Sequence, residues 1–310
     1  MNTRTKITAV TISLLLTAGL GYVSLFYFGE YGWTVFFTVP FLIGLLPPLL
    51  LSRSQELSWK EAMKWSFITL SLFCLGLLIF AVEGVICIAM ASPMLILLTG
   101  LGSFIACFIQ KRKWASTRVS IIGLLFIALG SMSFDSVYQA PNLIPVSSKV
   151  VINASIEEVW SQVVTFDKME EPQDWLFKTG ISYPTHATIK GSGVGAIRYC
   201  NFSTGSFVEP ITKWEEPNLL QFTVTEQPIP MNEFNPFWDI QPPHLDGYFQ
   251  SQKGEFRLSK ISANETLLIG TTWYKVDLSP EFYWQLWSDF IIHRIHDRVL
   301  GHIKKEAEEG

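Results

Sequence analysis

The first 135 residues contain apolar runs too long to be the buried helices of a soluble domain. Ile7 to Gly29 holds no charged residue, and about 20 apolar residues suffice for a helix to cross the hydrocarbon of a bilayer. No water reaches the backbone there, so each such run must satisfy its own N–H and C=O groups as a helix. The first run follows MNTRTK. It is longer than the apolar centre of a signal peptide and lacks a clear small-residue cleavage site, which makes it an anchor helix. A second run, Gly32 to Leu51, contains Pro40, Pro47 and Pro48, residues that membrane helices tolerate better than soluble ones. From Trp65 to Gln110 only Glu83 interrupts the apolar pattern, which is long enough for two spans and a turn. The spacing predicts five transmembrane helices, at 7–29, 32–51, 65–83, 90–110 and 119–134.

The basic residues orient these helices. Arg4 and Lys6 precede the first, Arg53, Lys60 and Lys64 lie between the second and third, and Lys111, Arg112, Lys113 and Arg118 lie before the fifth. The alternate loops, around Glu30 and Glu83, contain no Lys or Arg. Positive loops stay in the cytoplasm, so the expectation is an integral protein of the bacterial inner membrane with a cytoplasmic N-terminus and everything after Phe134 extracytoplasmic. Glu83, beside Gly84, reads as a marker of an external turn, and no polar series suited to transport runs through the spans.

Residues 1–135 carry nine Lys or Arg and five Asp or Glu, whereas the remainder carries 14 and 22. An acidic second half with no basic cluster argues against a nucleic-acid partner. Cys74, Cys87 and Cys107 lie in apolar runs and Cys200 stands alone, so no disulfide framework is implied.

After a linker, 136–146, the pattern changes to that of a 147–310 domain. Val146 to Asn153 alternates as a strand does, and Ser155-Ile-Glu-Glu158 is a capping box opening a short helix whose apolar face is Val159, Trp160, Val163 and Val164. Strands are predicted at 185–190, 196–202, 206–214, 219–226, 248–260 and 266–276, with breaks such as Gly191-Ser-Gly193 and Glu216-Pro-Asn218 that carry turn chemistry. Short connections call for an antiparallel sheet. Ser279 to Lys305 then forms a long helix, with a broad stripe of Trp284, Ile291, Ile292, Ile295, Val299 and Ile303 and a shorter aromatic stripe of Tyr283, Trp287 and Phe290. The order strand, helix, strands, long helix is an α+β architecture.

That order, with INASIEEVW in the first helix, the Glu-Glu-Pro-Asn-Leu-Leu turn at 215–220 and the closing helix, resembles the START-like superfamily of polyketide cyclases, dehydrases and lipid-transport proteins (SRPBCC, helix-grip fold). The resemblance covers residues 147–305 and implies an antiparallel sheet wrapped around the C-terminal helix, with an apolar cavity between them for a lipid or other hydrophobic small molecule. No cofactor is expected. Because the superfamily also contains cyclases and dehydratases, a catalytic alternative stays open, as does a sensor or interaction module.

Gln227 to His244 interrupts the strands with five prolines among Met231, Phe234, Phe237 and Trp238. A loop this long is usually functional, and it is expected as a lid over the cavity mouth, packed on Tyr283, Trp287 and Phe290. Candidate ligand-binding residues are Arg198 and Glu209, a charged pair on adjacent strands, with Trp238, His244, Tyr248, Trp273, Tyr283 and Trp287. No catalytic set is assigned. Asp289, His293 and His296 share one helical face with metal-like spacing, but that is a weak signal on an outer face where Asp289 with His293 and His293 with Asp297 also form ordinary four-residue surface pairs, and no metal is expected.

Overall fold

A computed structural model describes residues 2–27, 31–53, 55–111, 130 and 143–309. The chain divides into two units. One comprises Met1–Gln139 with Phe234–Pro242 and Leu278–Pro280; the other comprises Ala140–Glu233, Pro243–Asp277 and Glu281–Gly310.

In the first unit, α1 (Thr3–Tyr22), α2 (Val39–Leu51), α3 (Trp59–Ile79) and α4 (Val85–Lys111) follow one another. With the π-helical turns that extend the first two, four helices among the described residues are long and apolar enough to cross a membrane: Thr3–Phe26, Thr34–Leu51, Trp59–Ile79 and Val85–Lys111. The expected fifth span, 119–134, lies outside the described residues except for Gly130. Helix α2 is the most enclosed, and it carries Pro47 and Pro48 in its interior. Pro48 has no N–H to give the Gly44 carbonyl one turn back, and the Ser66 hydroxyl of α3 donates to that carbonyl instead, at 2.7 Å. Thr99 of α4 likewise donates to Pro40 O at 3.1 Å.

The α2–α4 seam depends on two glycines. A Cβ on Gly44 would sit 2.0 Å from Thr99 O, and one on Gly102 would sit 2.2 Å from Phe41 O, so the backbones touch where side chains would keep them apart. Gly76 of α3 has nothing within 4 Å of the same position. Gly102→Ala is therefore expected to destabilise the full chain by about 1–3 kcal/mol through overpacking. Gly76→Ala should be neutral or stabilising by up to about 1 kcal/mol. Thermal unfolding of the two variants in detergent should show shifts of opposite sign, and a neutral Gly102→Ala would mean that the seam is not this close.

The segment Phe234–Pro242 belongs to this unit, which corrects the expected lid. It closes the α3–α4 turn: Val85 N–H donates to Phe234 O at 2.7 Å, the Asn235 amide donates to Leu78 O at 3.0 Å and Glu83 O at 3.1 Å, and Trp238 Nε1 donates to Ile79 O at 2.7 Å. The last carbonyls of α3 and the first N–H of α4 are among the groups that a helix leaves unsatisfied at its ends.

The second unit holds a seven-stranded antiparallel sheet in the order β1-β7-β6-β5-β4-β3-β2. Its strands are β1 (Ile144–Ile152), β2 (Pro184–Lys190), β3 (Ile197–Phe202), β4 (Gly205–Glu215), β5 (Leu219–Thr223), β6 (Phe249–Ser262) and β7 (Glu265–Val276). Helices α5 (Ile156–Val164) and α6 (Trp175–Lys178) follow β1, and α7 (Glu281–Glu309) closes the chain. The capping box forms as expected, with Ser155 Oγ accepting from Glu158 N–H at 3.3 Å and Glu158 Oε2 accepting from Ser155 N–H at 2.8 Å. Val159, Trp160 and Val163 then pack with Ile152, Leu220, Leu268 and Ile303 in the core. At 29 residues α7 is about 43 Å long. It begins two residues later than Ser279, whose N–H donates to Tyr31 O at 3.1 Å within the first unit.

Candidate functional site

A cavity of about 140 Å³ lies inside the second unit, walled by α7, by β3 to β7 and by the start of the loop after β5, Gln227 to Pro230. Strands from distant parts of the sheet face the same space, so the sheet curves around it. Helix α7 closes the open side and reaches both edge strands. Arg298 Nε donates to Pro184 O on β2 at 3.0 Å, and Lys304 Nζ donates to Val151 O on β1 at 2.8 Å. The broad stripe supplies Ile291, Ile292, Ile295 and Val299 to the cavity wall. The second unit is a helix-grip domain.

Solved structures resemble it at low identity. They include norcoclaurine synthase from Thalictrum flavum as a point mutant with a transition-state analogue (14% identity, 56% of this chain and 98% of that chain, TM-score 0.36). The ZhuI aromatase/cyclase from Streptomyces sp. R1128 is another (13%, 54% and 95%, TM-score 0.35), and the Aha1 dimer from Colwellia psychrerythraea a third (17%, 53% and 96%, TM-score 0.31). No protein-family model and no curated protein matches the chain.

Of the residues nominated from sequence, Arg198 and Glu209 border the cavity. They are register partners across β3 and β4, with Cys200 and Phe202 alternating inward beside Arg198 and Phe207 beside Glu209. Both are buried, and Arg198 Nη1 donates to Glu209 Oε2. Arg198 Nε donates to Val164 O at 3.3 Å, and Nη2 makes no hydrogen bond among the described residues. Phe166, Phe222 and Phe256 surround the guanidinium, with their ring centres 5.7, 5.6 and 5.6 Å from its central carbon, within the range of cation–π attraction. Burial pushes the Glu209 carboxyl up, against the pull of Arg198. Burial also opposes the Arg198 charge, but Glu209 more than offsets it and the guanidinium stays protonated. Burial, with the Glu209 charge, pushes the Cys200 thiol up to about 12, which keeps it neutral.

The other six nominated residues lie elsewhere. Trp238 belongs to the first unit. His244 sits in a short 3₁₀ turn, Pro243–Leu245, and Tyr248 just before β6. Trp273, on β7, has the Lys253 ammonium 4.2 Å from its ring centre. Tyr283 packs on Trp284 and Trp287 on Phe290, at 5.4 and 6.3 Å between ring centres, and neither borders the cavity.

Three polar residues at the cavity wall or just behind it were not nominated. His296, read from sequence as lying on the outer face of the helix, is 9% exposed and borders the cavity. Its Nε2 is 2.8 Å from Thr272 Oγ1, also at the wall, and its Nδ1 is 3.2 Å from Ser148 Oγ on β1. The helical period carried the signal, since Ile292, His296, Val299 and Ile303 are spaced by four, three and four residues and so share one stripe. Asp289, the first of the metal-like trio, instead accepts a hydrogen bond from the Tyr274 hydroxyl at 2.7 Å.

Proposed function

We propose that this chain is a membrane-anchored binding protein whose helix-grip domain holds an apolar small molecule, with a polar end of that molecule at Arg198. The observation that carries the reading is a cavity with aromatic walls containing one buried ion pair and one unengaged guanidinium nitrogen. Pockets of mostly apolar lining with a few convergent polar groups are the usual form of small-molecule sites. The Arg198 charge is already balanced by Glu209, so Nη2 offers a hydrogen bond to a neutral acceptor such as a carbonyl or hydroxyl oxygen rather than a counter-charge to an anion. A lipid with a small uncharged polar group fits this description. No cofactor is invoked.

The four apolar helices support anchoring in a membrane. The Lys/Arg asymmetry supports a cytoplasmic N-terminus. The contacts of Phe234–Pro242 with the α3–α4 turn support an extracytoplasmic second half, because that turn is one of the loops free of Lys and Arg.

Native mass spectrometry of the full chain released from detergent tests the binding. The wild type should carry an additional small-molecule mass, identifiable in an organic extract, that is weakened in Glu209→Gln, where the guanidinium loses its ionic partner. A wild-type chain that carries no such mass and takes up no added lipid would refute the reading. An alkaline phosphatase fused to the C-terminus should be active if the second half is extracytoplasmic.

A further inference from the structure

The cavity is joined to the protein surface by an unbroken line of hydrogen bonds that ligand binding alone does not require. Thr272 Oγ1, at the cavity wall, is 2.8 Å from His296 Nε2. His296 Nδ1 is 3.2 Å from Ser148 Oγ, and Ser148 Oγ is 2.8 Å from His293 Nδ1. His293 is exposed, whereas His296 is buried. Every internal member both donates and accepts, because a hydroxyl and a neutral imidazole each have one donor and at least one acceptor.

The line is complete in either of two polarities. In one, Thr272 donates to His296, His296 to Ser148 and Ser148 to His293. In the other, each bond is reversed. Converting one polarity to the other moves one proton from end to end while leaving every internal group with its original number of protons.

We propose that Thr272, His296, Ser148 and His293 form a proton relay between the cavity and solvent, able to take a proton from a weakly acidic hydroxyl of a bound apolar molecule. As a step, the ligand O–H bond breaks and its proton joins Thr272 Oγ1, whose own proton passes to His296 Nε2. The proton on His296 Nδ1 passes to Ser148, the Ser148 proton passes to His293 Nδ1, and His293 releases one proton from its other nitrogen to water. The ligand is left as its oxyanion, and no electron changes owner. The relay requires a neutral inner imidazole. Burial, with His293 nearby, pulls His296 down to about 4, which supplies one at ordinary pH. The ligand part of the proposal rests on the binding function above; the relay itself does not.

The test accordingly uses no ligand. In the full chain, labelled with ¹⁵N-histidine and held in detergent, the exchange of the His296 ring proton with water is measured by NMR, with His296→Gln identifying the signal. Fast exchange is expected despite burial, at least tenfold slower exchange in Ser148→Ala, and near-native exchange in Ser148→Thr, which restores the hydroxyl. His293→Phe, at an exposed position, should also slow it by closing the outer end. Slow exchange in the wild type, or unchanged or faster exchange in Ser148→Ala, would overturn the relay while leaving the binding function standing.

Discussion

Arg198→Leu is expected to lower the unfolding free energy of the helix-grip domain by about 3–5 kcal/mol, because it leaves the Glu209 carboxylate buried with no opposite charge. Arg198→Leu combined with Glu209→Leu should recover most of that loss, since two leucines of comparable volume remove both charges from an interior that is already aromatic. The pair is buried, with Phe166, Phe222 and Phe256 around the guanidinium. Denaturant unfolding of the full chain, followed by tryptophan fluorescence, would measure both variants. A single substitution costing under about 1 kcal/mol, the usual value of an exposed pair, would mean that water reaches the site. Under the proposed function the same double variant should carry no small molecule, which would separate the proposed binding role of Arg198 from its structural one.

Acidification should destabilise the domain through His296. Its folded pKa, about 4, lies below the ordinary 6.5, so the unfolded chain binds the additional proton first. The stabilisation is fully present above pH 6.5 and is lost as the pH falls toward 4, with a total of about 3 kcal/mol. Glu209, whose carboxyl is pushed up by burial, acts in the opposite sense. The informative quantity is therefore the difference between the wild type and His296→Gln, which should grow in favour of the variant across that window. Thermal unfolding at a series of pH values measures it, and parallel curves for the two proteins would show that His296 is not held neutral by burial.

The strand–helix–strand order of the second half was legible because each element carried its own local signal. The capping box at Ser155 and Glu158 and the turn residues between strands are such signals; they marked an α+β order, and the helix-grip architecture came from the resemblance of that order to the START-like superfamily. The cavity was legible only in part. Arg198 stood out as a charge among apolar strand residues, but alternation in a single strand does not say which face is inside. That was decided by pairing with Glu209 across β4 and by packing against three phenylalanines from other elements. His296 was misplaced for a different reason. Its neighbours His293 and Asp297 made it look like part of a polar surface, although its spacing from Ile292 and Val299 put it on the buried stripe. The Pro-rich loop was recognised as unusual but assigned the wrong partner. Its hydrogen-bonding groups match the open ends of α3 and α4, and helix ends some 150 residues away in sequence give no local sign of what will cap them.

The excursion of Phe234–Pro242 bears on how this chain can be cut and recombined. Two halves joined only at a linker can be exchanged between genes like beads on a string. Here the hairpin between β5 and β6 also supplies the groups that finish a pair of long apolar helices. Replacing residues 1–139 with another segment, or beginning expression near Ser147, would leave Asn235 and Trp238 without the carbonyls they serve and uncap α3 in the discarded piece. A soluble version would need this hairpin redesigned as a short turn, and a natural swap of either half would require a compensating change in the other. The two halves are therefore expected to be inherited together.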